Sequence, residues 1–318
     1  MANHVAFIGS GLIGTGLALN CVTHGVSVVL QTRSQTERVK NRMAEGLDFY
    51  VEHGIITPEE KEKAAALYTI TTSVEDAVKD ARFIQESGPD SVELKHQLIA
   101  QIEAAAPADA IIASSTSSLS ITKVFEQAQH PERCMGGHPY NPANLIPLVE
   151  ITKGQRTDDA FVAKAKDFYT EIGKEPVVLN KEVIGFIANR YQSAIHREAV
   201  DLVENGVCSV EDADKALMYS VGLRWSVLGQ FLTMHLGAAP EGIGNFNTKY
   251  HVDVTKPDGR LSAMPTWTTF PADWCEKAAE GLEEAIAHRA PEMGQDIPSI
   301  EKWRDQMLVD TLRLHGKL

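Results

Sequence analysis

The chain has 318 residues, which is long for a single domain and enough for two. Hydrophobic residues make up 43% and charged residues 23%, as in a typical globular protein, and no apolar run approaches the ~20 residues that a membrane span requires. The net charge of −13 argues against nucleic acid, because binding it needs concentrated Lys and Arg. We therefore expect neither a nucleic acid nor a membrane as a partner.

The amino terminus and the cysteines indicate a cytoplasmic protein. The first three residues lack the basic region of a signal peptide, and an apolar run begins at His4. The cysteines form no CxxC motif, so the sequence suggests neither a disulfide framework nor a metal site. We expect reduced thiols at all four positions, which are Cys21, Cys134, Cys208 and Cys275.

The first elements predict a strand, a tight turn, a helix and a second strand. Apolar residues 4–8 are followed by the glycine-rich residues 9–14 and then by apolar residues at helical spacing up to Val22. Gly25 suits the left-handed end of that helix, and a second apolar run covers Val26–Leu30. This order is typical of the first unit of a dinucleotide-binding fold.

Further along, residues 35–65 predict two helices that are separated near Gly54. We expect Thr57 to cap the second helix, with Pro58 at its first position and Glu60 completing a capping box. Strands and helices then alternate, which predicts a mostly parallel sheet with helices on both faces. The expected strands are Tyr68–Thr71, Phe83–Glu86, Ala110–Ser114, Met135–His138, Leu148–Thr152 and Pro176–Leu179, and the helices include Asp90–Ala106 and Asp158–Ile172.

Strand signals almost vanish after about Ile184. Helical patterns follow at Ile187–Val207, Glu211–Val221, Val227–Leu236 and Asp273–His288. We therefore predict an α/β fold in which a doubly wound Rossmann-type domain, residues 1–183, precedes a smaller all-helical domain, residues 184–318. Residues 252–271 contain three prolines and no periodicity, which predicts a long loop of the kind that often has a function.

The glycine-rich turn predicts a site for a nicotinamide dinucleotide. Gly9 allows the tight turn, Gly11 lets the backbone approach a pyrophosphate, and Gly14 lets the helix pack closely on the strand. The helix beginning at Leu12 and Ile13 directs its N-terminus at the phosphate charge. We expect these five residues to line the cofactor site.

The end of the second strand bears on the choice between NAD and NADP. NAD-binding proteins usually carry Asp or Glu there, whereas this chain has Thr32, Arg33 and Ser34. Arg33 can pair with the 2′-phosphate of NADP, and the two hydroxyls can donate hydrogen bonds to it. Arg33 can also be a solvated residue that stacks on adenine. These residues favour NADP but leave NAD open.

Four segments stand where a doubly wound fold places its cleft or where the helical part begins. They are residues 114–119, 137–142, 148–150 and 185–190, and in this order they resemble the L-3-hydroxyacyl-CoA dehydrogenase superfamily over residues 5–236. The resemblance implies that His138 is a general base, that Glu150 orients it, and that Ser117 and Asn189 hydrogen-bond the substrate oxygen. It also implies that Asn189 reaches in from the helical domain. Each segment alone has a structural alternative, such as a helix cap for the serine run.

The residue types suit this chemistry. Loss of hydride from a carbinol requires removal of a proton, and histidine works near neutral pH. A carboxylate on the other ring nitrogen fixes the tautomer and stabilises the imidazolium. The interval between His138 and Glu150 can place both at the ends of neighbouring strands.

Two branches of the superfamily resemble the chain more than the acyl-CoA enzymes do. Residues 138–142 and 145–150 are similar to both L-carnitine dehydrogenase and lambda-crystallin/L-gulonate 3-dehydrogenase. Residues 222–226, 231–233 and 265–267 are most similar to the carnitine branch, whereas Thr233–Leu236 is similar to the gulonate branch. Both branches resemble NAD users, so this resemblance favours NAD where Arg33 and its neighbours favour NADP.

Carnitine carries a trimethylammonium group, which has no hydrogen-bond donor and is usually held by aromatic faces. Arg224 can pair with its carboxylate, and the aromatic candidates are Tyr140, Trp225, Phe231 and Trp267. Trp225 and Phe231 can equally be packing residues. An L-gulonate dehydrogenase, a 3-hydroxyacyl-CoA dehydrogenase and a crystallin-like protein without activity remain alternatives. The resemblance implies a substrate of L configuration and a homodimer joined through the helical domain.

Overall fold

The computed structural model describes residues 4–240, 242–243 and 272–318. The chain forms two compact units, of which the first comprises Met1–Asn189 and Asp305–Leu318 and the second Arg190–Arg304, in both cases as far as the structure describes them. The first unit includes residues 184–189 and 305–318 because Phe186 and Val309 are buried in its core. The domain limits of 1–183 and 184–318 therefore differ from these units and stay a prediction.

An eight-stranded sheet forms the centre of the first unit, in the order β3-β2-β1-β4-β5-β6-β7-β8. Neighbouring strands are parallel except β6 and β7, which are antiparallel. The order reverses between β1 and β4, and ligands of such sheets bind beyond the carboxyl ends of the strands at this reversal. The strands are β1 His4–Ile8, β2 Val28–Gln31, β3 Tyr68–Thr71, β4 Ala81–Glu86, β5 Ile111–Ser114, β6 Cys134–Pro139, β7 Leu148–Lys153 and β8 Glu175–Val178.

Both faces of this sheet are covered. Along β1, Val5 and Phe7 belong to one buried apolar cluster, while Ala6 and Ile8 belong to a second one. Successive side chains of a strand point to opposite faces, so this alternation means that apolar groups pack on each face. The predicted doubly wound α/β architecture is confirmed.

The helices of the first unit begin where the sequence provides caps. The Thr57 hydroxyl accepts a hydrogen bond from the Glu60 amide at 3.2 Å, and the Glu60 carboxylate accepts one from the Thr57 amide at 2.7 Å, which confirms the predicted capping box. These helices are α1 Leu12–Thr23, α2 Thr36–Glu52, α3 Pro58–Ala65, α4 Val74–Val78, α5 Val92–Ala105, α6 Ile121–Val124 and α7 Asp159–Glu171.

After β8 the described residues contain helices and no further strand, as predicted. A π-helical stretch, Leu217–Gly222, precedes helix α10, Leu223–Gly237. Helix α10 is interrupted at Gly229, whose φ is 68°. The sequence did not predict the last helix, α12, Ile297–Leu314, because Pro298 and scattered charges obscure its apolar spacing. The helices are α8 Ala188–Glu204, α9 Val210–Ala216, α10 Leu223–Gly237, α11 Trp274–Ala287 and α12 Ile297–Leu314.

Three further findings concern membrane spans, metal-binding groups and cysteines. None of the helices that the structure describes is both long and apolar enough to cross a membrane. Within the described ranges, no three His, Cys, Asp or Glu side chains come together in a group that could hold a metal ion. All four cysteines are free thiols, as predicted.

Candidate active site

His138 and Glu150 face each other across the antiparallel strands β6 and β7. The strand register pairs the two residues directly, and Nδ1 of His138 lies 3.1 Å from Oε2 of Glu150. Their side chains are 7% and 1% exposed, so water does not compete for this bond. The carboxylate favours the tautomer in which Nδ1–H donates and Nε2 keeps its lone pair. Nε2 has no hydrogen-bond partner among the described residues and can accept a proton.

The start of α8 holds the second carboxylate oxygen of Glu150. Oε1 accepts hydrogen bonds from the amides of Ile187 at 2.8 Å and Ala188 at 3.0 Å. The preceding Gly185 and Phe186 have φ values of 76° and 49°. A left-handed backbone costs a residue such as phenylalanine roughly 1–2 kcal/mol. Packing compensates this cost, since Phe186 is 2% exposed, and the turn aims the two amides at the carboxylate.

These contacts keep Glu150 ionised. Burial raises the pKa of its carboxyl, but the hydrogen bonds from His138 and from the amides of Ala188 and Ile187 outweigh that effect, so the pKa lies below its usual value. An ionised carboxylate can stabilise the imidazolium that forms when His138 takes up a proton. The pair therefore has the arrangement of a general base and its orienting group.

A chain of hydrogen bonds lies beside this pair. The Tyr140 hydroxyl donates to Oδ1 of Asn189 at 2.8 Å, and Nδ2 of Asn189 donates to the carbonyl of Ser117 at 3.2 Å. The Tyr140 and His138 rings are in edge contact, with centroids 4.8 Å apart. Burial and the charge of Glu150 raise the pKa of Tyr140, so its hydroxyl keeps its proton. The structure thus brings together all four predicted catalytic residues and Tyr140.

The glycine-rich loop has the close approaches that its spacing predicted. Gly9 has a φ of +100°, and a Cβ there would lie 2.6 Å from the carbonyl oxygen of Ser87, while a Cβ on Gly14 would lie 2.2 Å from that of Gly9. A Cβ on Gly11 would meet nothing within 4 Å, so this position faces open space. Helix α1 begins there with no side-chain cap and no acidic residue in its first turn. Its free amides, beginning at Leu12, suit a pyrophosphate.

The polar residues after β2 differ in their exposure. Arg33 and Ser34 are exposed, and their side chains can therefore reach a ribose phosphate. Thr32 is only 8% exposed, and its hydroxyl accepts a hydrogen bond from the Gln35 amide at 3.4 Å. The structure therefore leaves Arg33 and Ser34, rather than Thr32, free to meet a ligand.

Arg42 is a cation near this site that sequence reasoning did not assign to the cofactor. It lies on α2, and its Nη1 donates to the carbonyl of Ser10 at 3.4 Å. The Ser10 hydroxyl in turn donates to the carbonyl of Gln31 at 2.6 Å, which ties the glycine-rich loop to the end of β2. The local sequence gave no signal for Arg42, because the contact depends on how α2 packs on the loop.

A buried ion pair at the carboxyl end of β4 was also missed. Glu86 and Lys95 lie 2.8 Å apart and are 0% and 1% exposed. The carboxylate also accepts hydrogen bonds from the Ser114 hydroxyl at 2.5 Å and the Gly88 amide at 2.6 Å. A buried pair is tolerated when its remaining polar groups are satisfied in this way. The pair fixes the segment after β4, which lies against Gly9 of the cofactor loop.

The remaining candidates are placed differently from the catalytic group. Asn189 lies at the start of α8 and is the last residue of the first compact unit before Arg190, and the expectation that it reaches in from the helical domain stays a prediction. Arg224, Trp225 and Phe231 belong to the second unit; Phe231 is 72% exposed, and the Trp225 indole nitrogen is buried without a hydrogen-bond partner in the part of the chain that the structure describes. Trp267 and the predicted loop at 252–271 lie outside the described residues.

Comparison with known proteins decides the family. The model of the 3-hydroxyacyl-CoA dehydrogenase NAD binding domain matches residues 4–183, and that of the 3-hydroxyacyl-CoA dehydrogenase C-terminal domain matches residues 185–284. The chain belongs to the 3-hydroxyacyl-CoA dehydrogenase family. As a member of it, the chain is a nicotinamide-dependent dehydrogenase that acts on a CH–OH group, and the resemblance seen in its motifs is confirmed.

Relatives in this family include several L-carnitine dehydrogenases. The enzyme of Pseudomonas sp is 37% identical over 98% of this chain and 93% of its own length. That of Streptomyces griseus is 35% identical, over 99% and 90%. A solved structure, a 5-formyl-3-hydroxy-2-methylpyridine 4-carboxylic acid 5-dehydrogenase described as an NAD+ dependent dismutase, superposes with a TM-score of 0.81 at 27% identity and covers 99% of this chain and 98% of that one.

Proposed function

We propose that this dehydrogenase oxidises the 3-hydroxyl of a small L-hydroxy acid, with L-carnitine as the first candidate and 3-dehydrocarnitine as the product. The observation that carries the proposal is the buried pair of His138 and Glu150, whose side chains meet at 3.1 Å. The substrate class is supported by L-carnitine dehydrogenases that are 33% to 37% identical over almost the whole chain.

His138 acts as the general base. Its Nε2 takes the proton of the substrate hydroxyl, while ionised Glu150 holds Nδ1–H and stabilises the resulting imidazolium. A nicotinamide bound at the glycine-rich loop would supply the hydride acceptor. In the reverse direction the imidazolium returns its proton to the carbonyl oxygen.

Asn189 and Ser117 hold the substrate oxygen. One N–H of the Asn189 amide is used by the Ser117 carbonyl, at 3.2 Å, and a second N–H remains on the same nitrogen. The Ser117 hydroxyl is a further donor of the kind that stabilises an alkoxide-like oxygen. The hydrogen bond from Tyr140 fixes the orientation of the amide, because its Oδ1 must face that hydroxyl.

The cofactor is NADP rather than NAD. No carboxylate stands at residues 31–34, where it would repel a 2′-phosphate, and exposed Arg33 and Ser34 offer a cation and a hydroxyl. Arg42 adds a second guanidinium close to the same strand end. NAD is the alternative, favoured by the resemblance of the carnitine and gulonate branches to NAD users.

A substrate without coenzyme A fits the surface of α2 and α3 better than an acyl-CoA does. An acyl-CoA needs a cationic surface for its phosphates, and here the cations are interleaved with acids. Lys61, for example, is bonded to Asp48, and α3 carries Glu59 and Glu60 in its first turn. The net charge of −13 points in the same direction.

The trimethylammonium group of carnitine would be held by aromatic faces. Tyr140 is the candidate beside the catalytic pair, since its ring contacts that of His138. The sequence also names Trp225, Phe231 and Trp267 for the trimethylammonium group and Arg224 for the carboxylate, and these assignments stay predictions.

The protein assembles as a homodimer through its helical part. Helix α10 exposes three large apolar side chains, Leu223 and Val227 before the interruption at Gly229 and Phe231 after it, which are 62%, 67% and 72% exposed. Neighbouring Leu232 and Leu236 are also about half exposed, at 47% and 55%. Several exposed large apolar side chains on one element are typical of an interface, and a second copy of the chain is the partner that we propose.

The function is tested by initial rates of nicotinamide reduction at mildly alkaline pH. The panel contains L-carnitine, D-carnitine, L-gulonate and L-3-hydroxybutyryl-CoA, each with NAD and with NADP. We expect turnover of L-carnitine alone, with NADP preferred. Turnover of L-gulonate or the acyl-CoA instead would move the proposal to that branch, and turnover of no compound would favour another hydroxy acid or a protein without activity.

A further inference from the structure

The segment between β6 and β7, residues 140–147, joins the strand that carries His138 to the strand that carries Glu150. The two residues are direct partners in the strand register, and Tyr140 is the first residue of the segment. A slip of one residue in such a pairing turns every side chain of a strand to the opposite face. The catalytic pair therefore depends on a fixed conformation of this segment.

Three side chains from other parts of the chain, those of Lys174, Asn20 and Tyr50, bind backbone carbonyls of this segment. Nζ of Lys174, between α7 and β8, donates to the carbonyls of Ala143 and Ile146, the latter at 3.0 Å. The carbonyl of Asn144 accepts from Nδ2 of Asn20, on α1, at 3.1 Å and from the hydroxyl of Tyr50, on α2, at 3.0 Å. Buried carbonyls without a partner are costly, so these donors stabilise one conformation.

Helix α1 also touches the segment directly. A Cβ on Gly16 would lie 3.0 Å from both the Cβ of Ala143 and the amide nitrogen of Asn144, so only a glycine lets the helix come this close. Gly11, where the cofactor pyrophosphate is expected, is the N-cap residue of the same helix. Helix α1 thus contacts the segment of the catalytic pair on one side and starts at the cofactor loop.

Lys174 is buried, which is unusual for a lysine. It is 3% exposed, and no carboxylate pairs with it among the residues that the structure describes. Burial lowers the pKa of its ammonium group to about 7. A buried lysine that binds two carbonyls has a specific structural task, because a hydrophobic side chain of similar length would leave both carbonyls unpaired.

We propose that Lys174, assisted by Asn20 and Tyr50, is a positioning residue for the reaction: the three side chains together hold residues 140–147 in one conformation against α1 and so fix His138 and Glu150 relative to the bound nicotinamide. The clamp acts through the catalytic pair and touches neither substrate nor cofactor. This inference rests on the proposed role of that pair.

The test compares Lys174→Met with a control that removes a different lysine. Lys174→Met keeps the length of the side chain and removes the donors, and we expect kcat to fall between about 10- and 100-fold, as for a small displacement of reacting groups. The dissociation constant of NADPH, measured by its fluorescence, should change less than about threefold. Lys153→Met removes an ion pair between Lys153, on β7, and Asp159, on α7, and this variant should keep its kcat.

A double-mutant cycle separates positioning from general destabilisation. In a Glu150→Gln background, Lys174→Met should lower kcat less than about twofold further, because the pair on which the clamp acts is already broken. The proposal would be overturned if Lys174→Met lowered kcat by the same factor in the Glu150→Gln background as in the wild type. A kcat of Lys174→Met equal to that of the wild type would also overturn it. If Glu150→Gln itself has no effect on kcat, the role of the catalytic pair fails instead.

A milder variant and an independent measurement cover the case in which Lys174→Met does not fold. Tyr50→Phe keeps the ring and removes one donor to Asn144, so we expect a smaller loss of kcat that is also absent in the Glu150→Gln background. Hydrogen exchange should show faster exchange at residues 143–150 in Tyr50→Phe and unchanged exchange in β1. Equal exchange at both places, together with an unchanged kcat, would contradict the clamp.

Discussion

Glu150→Gln tests how the catalytic pair works, because the substitution keeps the shape of the side chain and removes its charge. The carboxylate of Glu150 accepts three hydrogen bonds, from Nδ1 of His138 at 3.1 Å and from the amides of Ile187 and Ala188 at 2.8 Å and 3.0 Å. A glutamine side chain has one carbonyl oxygen and one NH2 group, which cannot accept. The variant must therefore give up either the histidine or the two backbone amides.

The two amides are fixed in the backbone, so the glutamine oxygen should turn to them. Its NH2 group then faces Nδ1 of His138, which must accept instead of donate, and the ring proton moves to Nε2. A base with its proton on the reacting nitrogen is disabled, and we expect kcat to fall by about 10² to 10⁴. That loss corresponds to roughly 2.7 to 5.4 kcal/mol of activation free energy.

The assay is the initial rate of nicotinamide reduction with L-carnitine, with NADPH affinity measured separately by fluorescence. The matched control is Glu182→Gln. Glu182 also accepts three hydrogen bonds at the start of a helix, from the Ser120 hydroxyl at 2.9 Å and from the amide and hydroxyl of Thr122 at 3.0 Å and 2.6 Å, but no histidine is among these donors. We expect both variants to lose stability and only Glu150→Gln to lose turnover.

The pH dependence of stability provides a second readout. Because the folded state lowers the pKa of Glu150, its contribution to stability is present above the unfolded pKa of about 4.3 and is lost as pH falls through the lower folded pKa. The difference in unfolding free energy between wild type and Glu150→Gln should be largest near neutral pH and should shrink in acid. Turnover of Glu150→Gln within about threefold of wild type, with folding intact, would refute the tautomer argument.

Three further predictions follow from the same site and from the helical part. His138→Asn should lower kcat at least about 100-fold and leave NADPH affinity unchanged, because the variant loses the general base and keeps the cofactor loop. Arg33→Ala should lower kcat/KM with NADP about tenfold or more and leave kcat/KM with NAD nearly unchanged, since only NADP carries the phosphate that the guanidinium would pair with. Phe231→Asp should shift the mass measured by light scattering from a dimer towards a monomer, because a buried, unpaired carboxylate costs several kcal/mol.

Each of these variants has a control in the chain. His130→Asn removes an exposed histidine that lies 3.2 Å from Glu132, so it should keep its turnover. Arg82→Ala removes a cation that is bonded to Glu171 near the amino end of β4, away from the cofactor loop, and should not change cofactor preference. Leu94→Asp changes a leucine that is 48% exposed on α5 and should leave the mass unchanged. Equal effects in a variant and its control would contradict the corresponding prediction.

Much of the fold could be predicted because it is encoded locally. The capping box at Thr57, the glycine spacing of residues 9–14 and the alternation of short apolar runs each depend on residues close together in the chain. The prediction that His138 and Glu150 lie on neighbouring strands is likewise confirmed by their register. The limits of the compact units were less accessible, because they depend on the burial of Phe186 and of residues near Val309.

Two of the contacts that sequence reasoning missed share a physical cause. Arg42 is 32 residues from Ser10, and Lys174 is 31 and 28 residues from the carbonyls of Ala143 and Ile146. These contacts are side chain to backbone, so the partner leaves no trace in the sequence: any residue type supplies a carbonyl. A pair such as His138 and Glu150 is different, because both partners are side chains and their types indicate the chemistry. Catalytic groups could therefore be recognised from residue types and order, whereas the groups that position them required the fold.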